Sequence, residues 1–77
     1  MIGKTNAELT ELVNEALRGQ PGCETAHAPA LCALPEVSDG RNWEIPNVIL
    51  GDSLISDVDR AIISIRRQLG RKFYLLD

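Results

Sequence analysis

The run from Ser53 to Leu76, SLISDVDRAIISIRRQLGRKFYLL, restricts the fold more than any other stretch. Ile55, Val58, Ile62, Ile65 and Leu69 recur at alternating intervals of three and four, which puts them on one stripe of an α-helix. Leu54 and Ala61 widen that stripe. Its β-branched residues lower helix propensity, so such a helix owes its stability to a partner surface. Asp52 or Ser53 is a candidate cap, Asp57 and Asp59 lie near the positive end of the helix dipole, and Arg66, Arg67, Arg71 and Lys72 lie toward the negative end. Gly70 is a possible stop that would leave a short terminal strand after it. Carried through Gly70 at about 100° per residue, Phe73 and Leu76 return to the apolar stripe, and this phase predicts helix to about Tyr74.

A second amphipathic helix is written near the start. Thr5-Asn6-Ala7-Glu8 has the form of a capping box, and Leu9, Leu12, Val13, Ala16 and Leu17 follow at helical spacing. Gly19 is the expected C′ residue, with Pro21 beyond it, and Met1 to Lys4 reads as a frayed start. Between the helices, Cys23 to Leu34 is read as an extended edge strand because Pro29 disfavours helix. Pro35 to Gly40 is read as a loop in which Asp39-Gly40 supplies positive φ, and Trp43 to Leu50 as a second strand with Pro46 at an edge or bulge. The expected class is therefore α+β: a single domain over residues 1–77, ordered helix, strand, strand, helix, with two amphipathic helices packed on a β-hairpin.

A chain of 77 residues buries only about 60% of its unfolded surface, so its core is thin and a second subunit would relieve it. Apolar residues at 44% and charged residues at 25% fit a globular chain rather than a disordered one. The net charge of −3 argues against a protein dominated by phosphate contacts. Its halves differ: Lys4 and Arg18 face six acidic residues before position 41, whereas six basic residues face five acidic ones after it. No apolar leader follows Met1 and no run approaches the ~20 apolar residues that span a bilayer, so a cytoplasmic protein with reduced cysteines and no membrane contact is expected.

Cys23, His27 and Cys32 have the atom types of a zinc site but only three ligands and no Cys-x2-Cys knuckle; Glu24 completes the set on paper. A Cys–His nucleophile pair lacks a third orienting group, and four residues of strand would hold its members about 13 Å apart. A Cys23–Cys32 disulfide would require a chain reversal near Pro29. A small hydrophobic Cys beside a surface His is the simpler reading, so neither a metal nor another cofactor is expected. On the long helix, Arg60, Arg67 and Arg71 form a short positive stripe opposite Ile62, read first as a solvated face and second as phosphate contacts. Ile63 and Tyr74 fall off the apolar stripe, and Trp43 is read as the anchor that closes the hairpin on the helices.

With Cys23 after the first helix, Gly40-Arg41-Asn42-Trp43-Glu44 opening a strand and the Ala61–Leu69 helix, the chain resembles small uncharacterised proteins of soil alphaproteobacteria over most of its length. That resemblance implies no activity. The element order is also similar to that of double-stranded-RNA-binding domains, but Asp52, Ser53, Asp57 and Asp59 stand where those domains carry basic residues, and fold alone does not license the function. The expectation is a non-catalytic protein-protein interaction module without an identifiable small-molecule substrate. It self-associates as a homodimer or binds another protein through Trp43, Ile63, Arg67, Phe73 and Tyr74. The alternative is weak nucleic-acid binding through Arg60, Arg67 and Arg71.

Overall fold

The computed structural model describes residues 1–38 and 40–76, and Thr5 sets its first boundary. The Thr5 hydroxyl accepts from the Glu8 amide at 3.2 Å and the Glu8 carboxylate accepts from the Thr5 amide at 3.0 Å, which is the expected capping box. Strand β1 (Ile2–Lys4) precedes it and helix α1 (Asn6–Arg18) follows. Leu9, Val13 and Leu17 are fully buried, with Leu12 and Ala16 packed against the core edge. Gly19 closes α1 in the right-handed region at φ −82°, not as the left-handed C′ residue expected.

Of the strand predicted over Cys23–Leu34 only Cys32–Leu34 forms one, and the segment before it, residues 23–31, is not a strand. Side chains of α1 hold it instead. Asn14 Nδ2 donates to the Ala28 carbonyl at 2.9 Å while its Oδ1 accepts from the Ala28 amide at 2.7 Å. Asn6 repeats the arrangement on Leu31, at 2.9 and 3.4 Å. A carboxamide presents one donor and one acceptor side by side, as a neighbouring strand would, so the backbone here is satisfied without a ladder. Only His27 pairs, in an isolated antiparallel bridge with Ile49. Beside that bridge, Gly51 sits at φ +59°, and a Cβ there would come within 2.6 Å of the Thr25 carbonyl oxygen.

Strand β2 (Cys32–Ser38) and strand β3 (Arg41–Glu44) form the antiparallel hairpin, with Ala33 opposite Trp43 and Ser38 opposite Arg41. Pro35 falls inside β2 rather than in the predicted loop. It is tolerated because β2 pairs with β3 alone and the ladder is irregular between Ala33 and Ser38. Gly40 takes the positive φ that the hairpin requires, at 82°; its expected partner in the turn, Asp39, lies outside the described residues. The strand predicted over Trp43–Leu50 begins two residues earlier and stops at Glu44, ahead of Pro46 and its missing donor.

Helix α2 spans Ile55–Gly70 and buries Val58, Ala61, Ile62 and Ile65, with Leu69 at the margin. Its start is looser than expected. Leu54 occupies the cap position without a side-chain bond, and Leu54 and Ile55 are exposed rather than part of the stripe. Asp52 does not cap; its amide donates to Thr25 Oγ1 at 2.9 Å. The helix also ends earlier than its phase predicts. Phe73–Leu75 forms strand β4, parallel to β1, with Ile2 opposite Phe73 and Lys4 opposite Leu75. Helical phase and strand alternation both direct Phe73 inward, and β1 resolves the choice by offering the backbone of residues 73–75 a partner.

The two ribbons, β2–β3 and β4–β1, are joined by two adjacent side chains of β3. Asn42 Nδ2 donates to the Leu75 carbonyl at 2.9 Å and Asn42 Oδ1 accepts from the Leu75 amide at 2.8 Å. Next to it Trp43, the largest fully buried side chain, donates from Nε1 to the Phe73 carbonyl at 3.2 Å. The result is the α+β class expected, two amphipathic helices on a hairpin, extended by the β1–β4 ribbon. Among the described residues no helix is long and apolar enough to cross a membrane. Replacing Asn42 with Ala removes both bonds and strands two backbone groups of β4, so urea unfolding should show a loss of about 2–4 kcal/mol.

Candidate functional site: an arginine-lined cleft beside the second helix

Glu44 closes β3 with its carboxylate turned toward α2. Its Oε1 accepts from the Ile45 amide at 2.8 Å and from Arg66 Nε at 2.6 Å, and its Oε2 accepts from Arg41 Nη2 at 3.1 Å. Arg41 is itself buried, and its Nε donates to the Trp43 carbonyl at 3.0 Å. Partial burial works to raise the Glu44 carboxyl. The Ile45 amide, and then the guanidinium groups of Arg41 and Arg66, outweigh that and hold it below the ordinary glutamate value. Strand and helix thus share one carboxylate that fixes two guanidinium groups in place.

These two arginines form one side of a cleft of about 520 Å³ that is also lined by Ile63, Arg67 and Arg71 of the α2 region. Arg41 reaches it across Gly70. A Cβ at Gly70 would lie 3.4 Å from the Arg41 side chain, so the arginine stem passes directly over the last turn of α2. Arg67 and Arg71 are exposed and enter no ion pair among the described residues. Ile63, 52% exposed, is the one apolar residue of the lining.

Of the residues predicted for an interaction surface, Ile63 and Arg67 meet in this cleft. Trp43 does not reach any surface: it has no exposed area and serves as the hairpin anchor. Phe73 is half-buried beneath Lys4, whose Nζ lies 5.8 Å from its ring centre, and Tyr74 lies on β4 outside the cleft. Of the predicted arginine stripe, Arg67 and Arg71 line the cleft. Arg60 stands apart, 4.0 Å from Asp57. Sequence reasoning missed Arg41, Glu44 and Arg66. In a regular strand the spacing of three puts Arg41 and Glu44 on opposite faces, so periodicity carries no sign of their bond. Arg66 sits at the margin of the apolar stripe, where helical phase gives it no solvent role.

A second, acidic groove of about 340 Å³ runs along α1, lined by Lys4, Glu8, Glu11, Leu12 and Glu15. Cys23 and Cys32 are free thiols, one buried and one exposed. Burial pushes the Cys23 thiol up, and the carboxylates of Asp57 and Glu24 push it further against the smaller pull of Arg60, so it is a poor nucleophile. Among the described residues no three His, Cys, Asp or Glu side chains converge on a metal position. No protein-family model, curated protein or solved structure matches the chain.

Because the folded Glu44 carboxyl lies below its ordinary value of 4.5, its bonds stabilise the protein fully above that pH and progressively less as pH falls through the folded value. Glu44→Gln should therefore be less stable than the parent near neutral pH, and the gap should narrow between about pH 6 and about pH 3. Urea unfolding of both proteins across that range measures it; a pH-independent gap would contradict the charge-based account.

Proposed function

We propose that the chain is a small non-catalytic protein-protein interaction module whose docking face is the arginine-lined cleft, and that its partner presents carboxylates there. The observation that carries this reading is the division of labour among the arginines. Arg41 and Arg66 are anchored by Glu44, whereas Arg67 and Arg71 stand exposed beside Ile63 with no carboxylate partner among the described residues. A guanidinium fork matches a carboxylate in two parallel hydrogen bonds, and walls that are already fixed lose little freedom on binding. Ile63 supplies an apolar contact at the centre of a polar rim. A cytoplasmic setting agrees with two free cysteines.

A nucleic-acid reading uses the same Arg67 and Arg71 and is favoured only by their exposure. Arg60, the third member of that stripe, lies outside the cleft near Asp57, and the net charge is −3. Two phosphate contacts would give a log-log salt slope of about −2, weak binding by any nucleic-acid standard.

Fluorescence anisotropy of a labelled polyglutamate peptide tests the proposal. Arg67→Glu combined with Arg71→Glu should weaken binding at least about tenfold, whereas Arg60→Glu should change it less than about twofold. A parent protein that ignores the peptide at low salt, or an Arg60 variant that fails equally, would remove the reading.

A further inference from the structure

We infer that the carboxylate-bearing partner is a second copy of this chain, which lays the acidic groove of its α1 into the arginine cleft beside α2. The inference rests on the proposed function and names the partner. The two surfaces are complementary residue class by residue class. The cleft has Arg66, Arg67 and Arg71 around Ile63, and the groove has Glu8, Glu11 and Glu15 around Leu12. Each row follows one helix, from residue 63 to the C-cap at 71 and from residue 8 to 15. At 1.5 Å per residue these rows are about 12 and about 10.5 Å long, so they match in length as well as sign.

One molecule cannot bring its own two surfaces together. The groove includes Lys4 of β1 and the cleft includes Arg41 of β3, and β4 stands between those strands, paired to β1 on one side and bound by Asn42 of β3 on the other. Within one molecule these charges cannot answer each other. Glu11 and Glu15 are exposed and enter no ion pair among the described residues, as is true of Arg67 and Arg71. Glu8 already caps α1, and Lys4 lies over Phe73. Glu11, Glu15 and Leu12 therefore meet Arg67, Arg71 and Ile63.

Such a contact joins unlike surfaces. After the first contact one copy keeps a free groove and the other a free cleft, so association continues past the dimer unless the copies close into a ring. Exposed ion pairs are individually weak and screened by salt, so the assembly is concentration-dependent and salt-sensitive.

Light scattering of the full chain over a range of concentrations, at about 50 mM and about 500 mM salt, supplies the first measurement. The parent should gain mass with concentration at low salt, with apparent affinity at least about tenfold lower at high salt. Two charge-reversed variants supply the second, one carrying Arg67→Glu and Arg71→Glu, the other Glu11→Arg and Glu15→Arg. All four sites are exposed, and circular dichroism melting checks that both variants fold. Each variant alone should be monomeric, because its two surfaces then carry like charge. An equimolar mixture should regain the mass of the parent, because every unlike pair is restored. A mixture that stays monomeric, or single variants that associate as the parent does, would overturn this interface. A monomeric parent that still binds the polyglutamate peptide would assign the cleft to another acidic protein, overturning the inference and leaving the proposed function standing.

Discussion

The carboxamide of Asn42 is the interaction on which the remaining architecture depends. A two-stranded ribbon has too little apolar surface to be stable alone, and this protein contains two of them without a shared backbone ladder. Asn42 supplies to Leu75 the donor and acceptor that a neighbouring strand would supply. Its neighbours in sequence depend on that register. Trp43 fills the core, Arg41 crosses the end of α2, and Glu44 binds both Arg41 and Arg66. Asn14 and Asn6 hold the long connection after α1 by the same chemistry. Three asparagines thus do by side chain what larger folds do with additional strands.

The two helices were legible in the sequence because capping chemistry and apolar spacing are local signals: Thr5 and Glu8 declare a start, and Val58, Ala61, Ile62 and Ile65 declare a face. The strands were less legible for a physical reason. Within residues 23–31 the backbone of Ala28 and Leu31 is bonded by Asn14 and Asn6, and a side chain that imitates a strand leaves no period of two behind. The end of α2 was misread because Phe73 suits helix and strand alike, and the deciding partner, Ile2–Lys4, lies some seventy residues away. Half of the cleft was visible as Ile63, Arg67 and Arg71 on one helix. The other half, Arg41 and Arg66, is set by the Glu44 carboxylate that bonds both, a contact between strand and helix that no local pattern encodes.

Glu44 ties the cleft to the stability of the fold. A guanidinium as buried as that of Arg41 is tolerable only with its hydrogen bonds made, and Glu44 and the Trp43 carbonyl make them. The inner wall is therefore structural, while Arg67 and Arg71 on the outer wall are free to change without disturbing the core. Charge at 41, 44 and 66 is pinned by the fold, whereas at 67 and 71 only binding constrains it.

The parallel pairing of Ile2 with Phe73 also orders events in time. Joining those residues closes a loop of nearly the whole chain, and such distant contacts are entropically costly to form before the intervening structure exists. During synthesis α1 can form early, but β1 has no partner until Phe73–Leu75 has left the ribosome. Until then Trp43 lacks its acceptor on Phe73 and Asn42 lacks Leu75. The core can therefore close only once Phe73–Leu75 is free to pair, and the nascent chain before that point is a helix-bearing polymer with its central tryptophan uncovered.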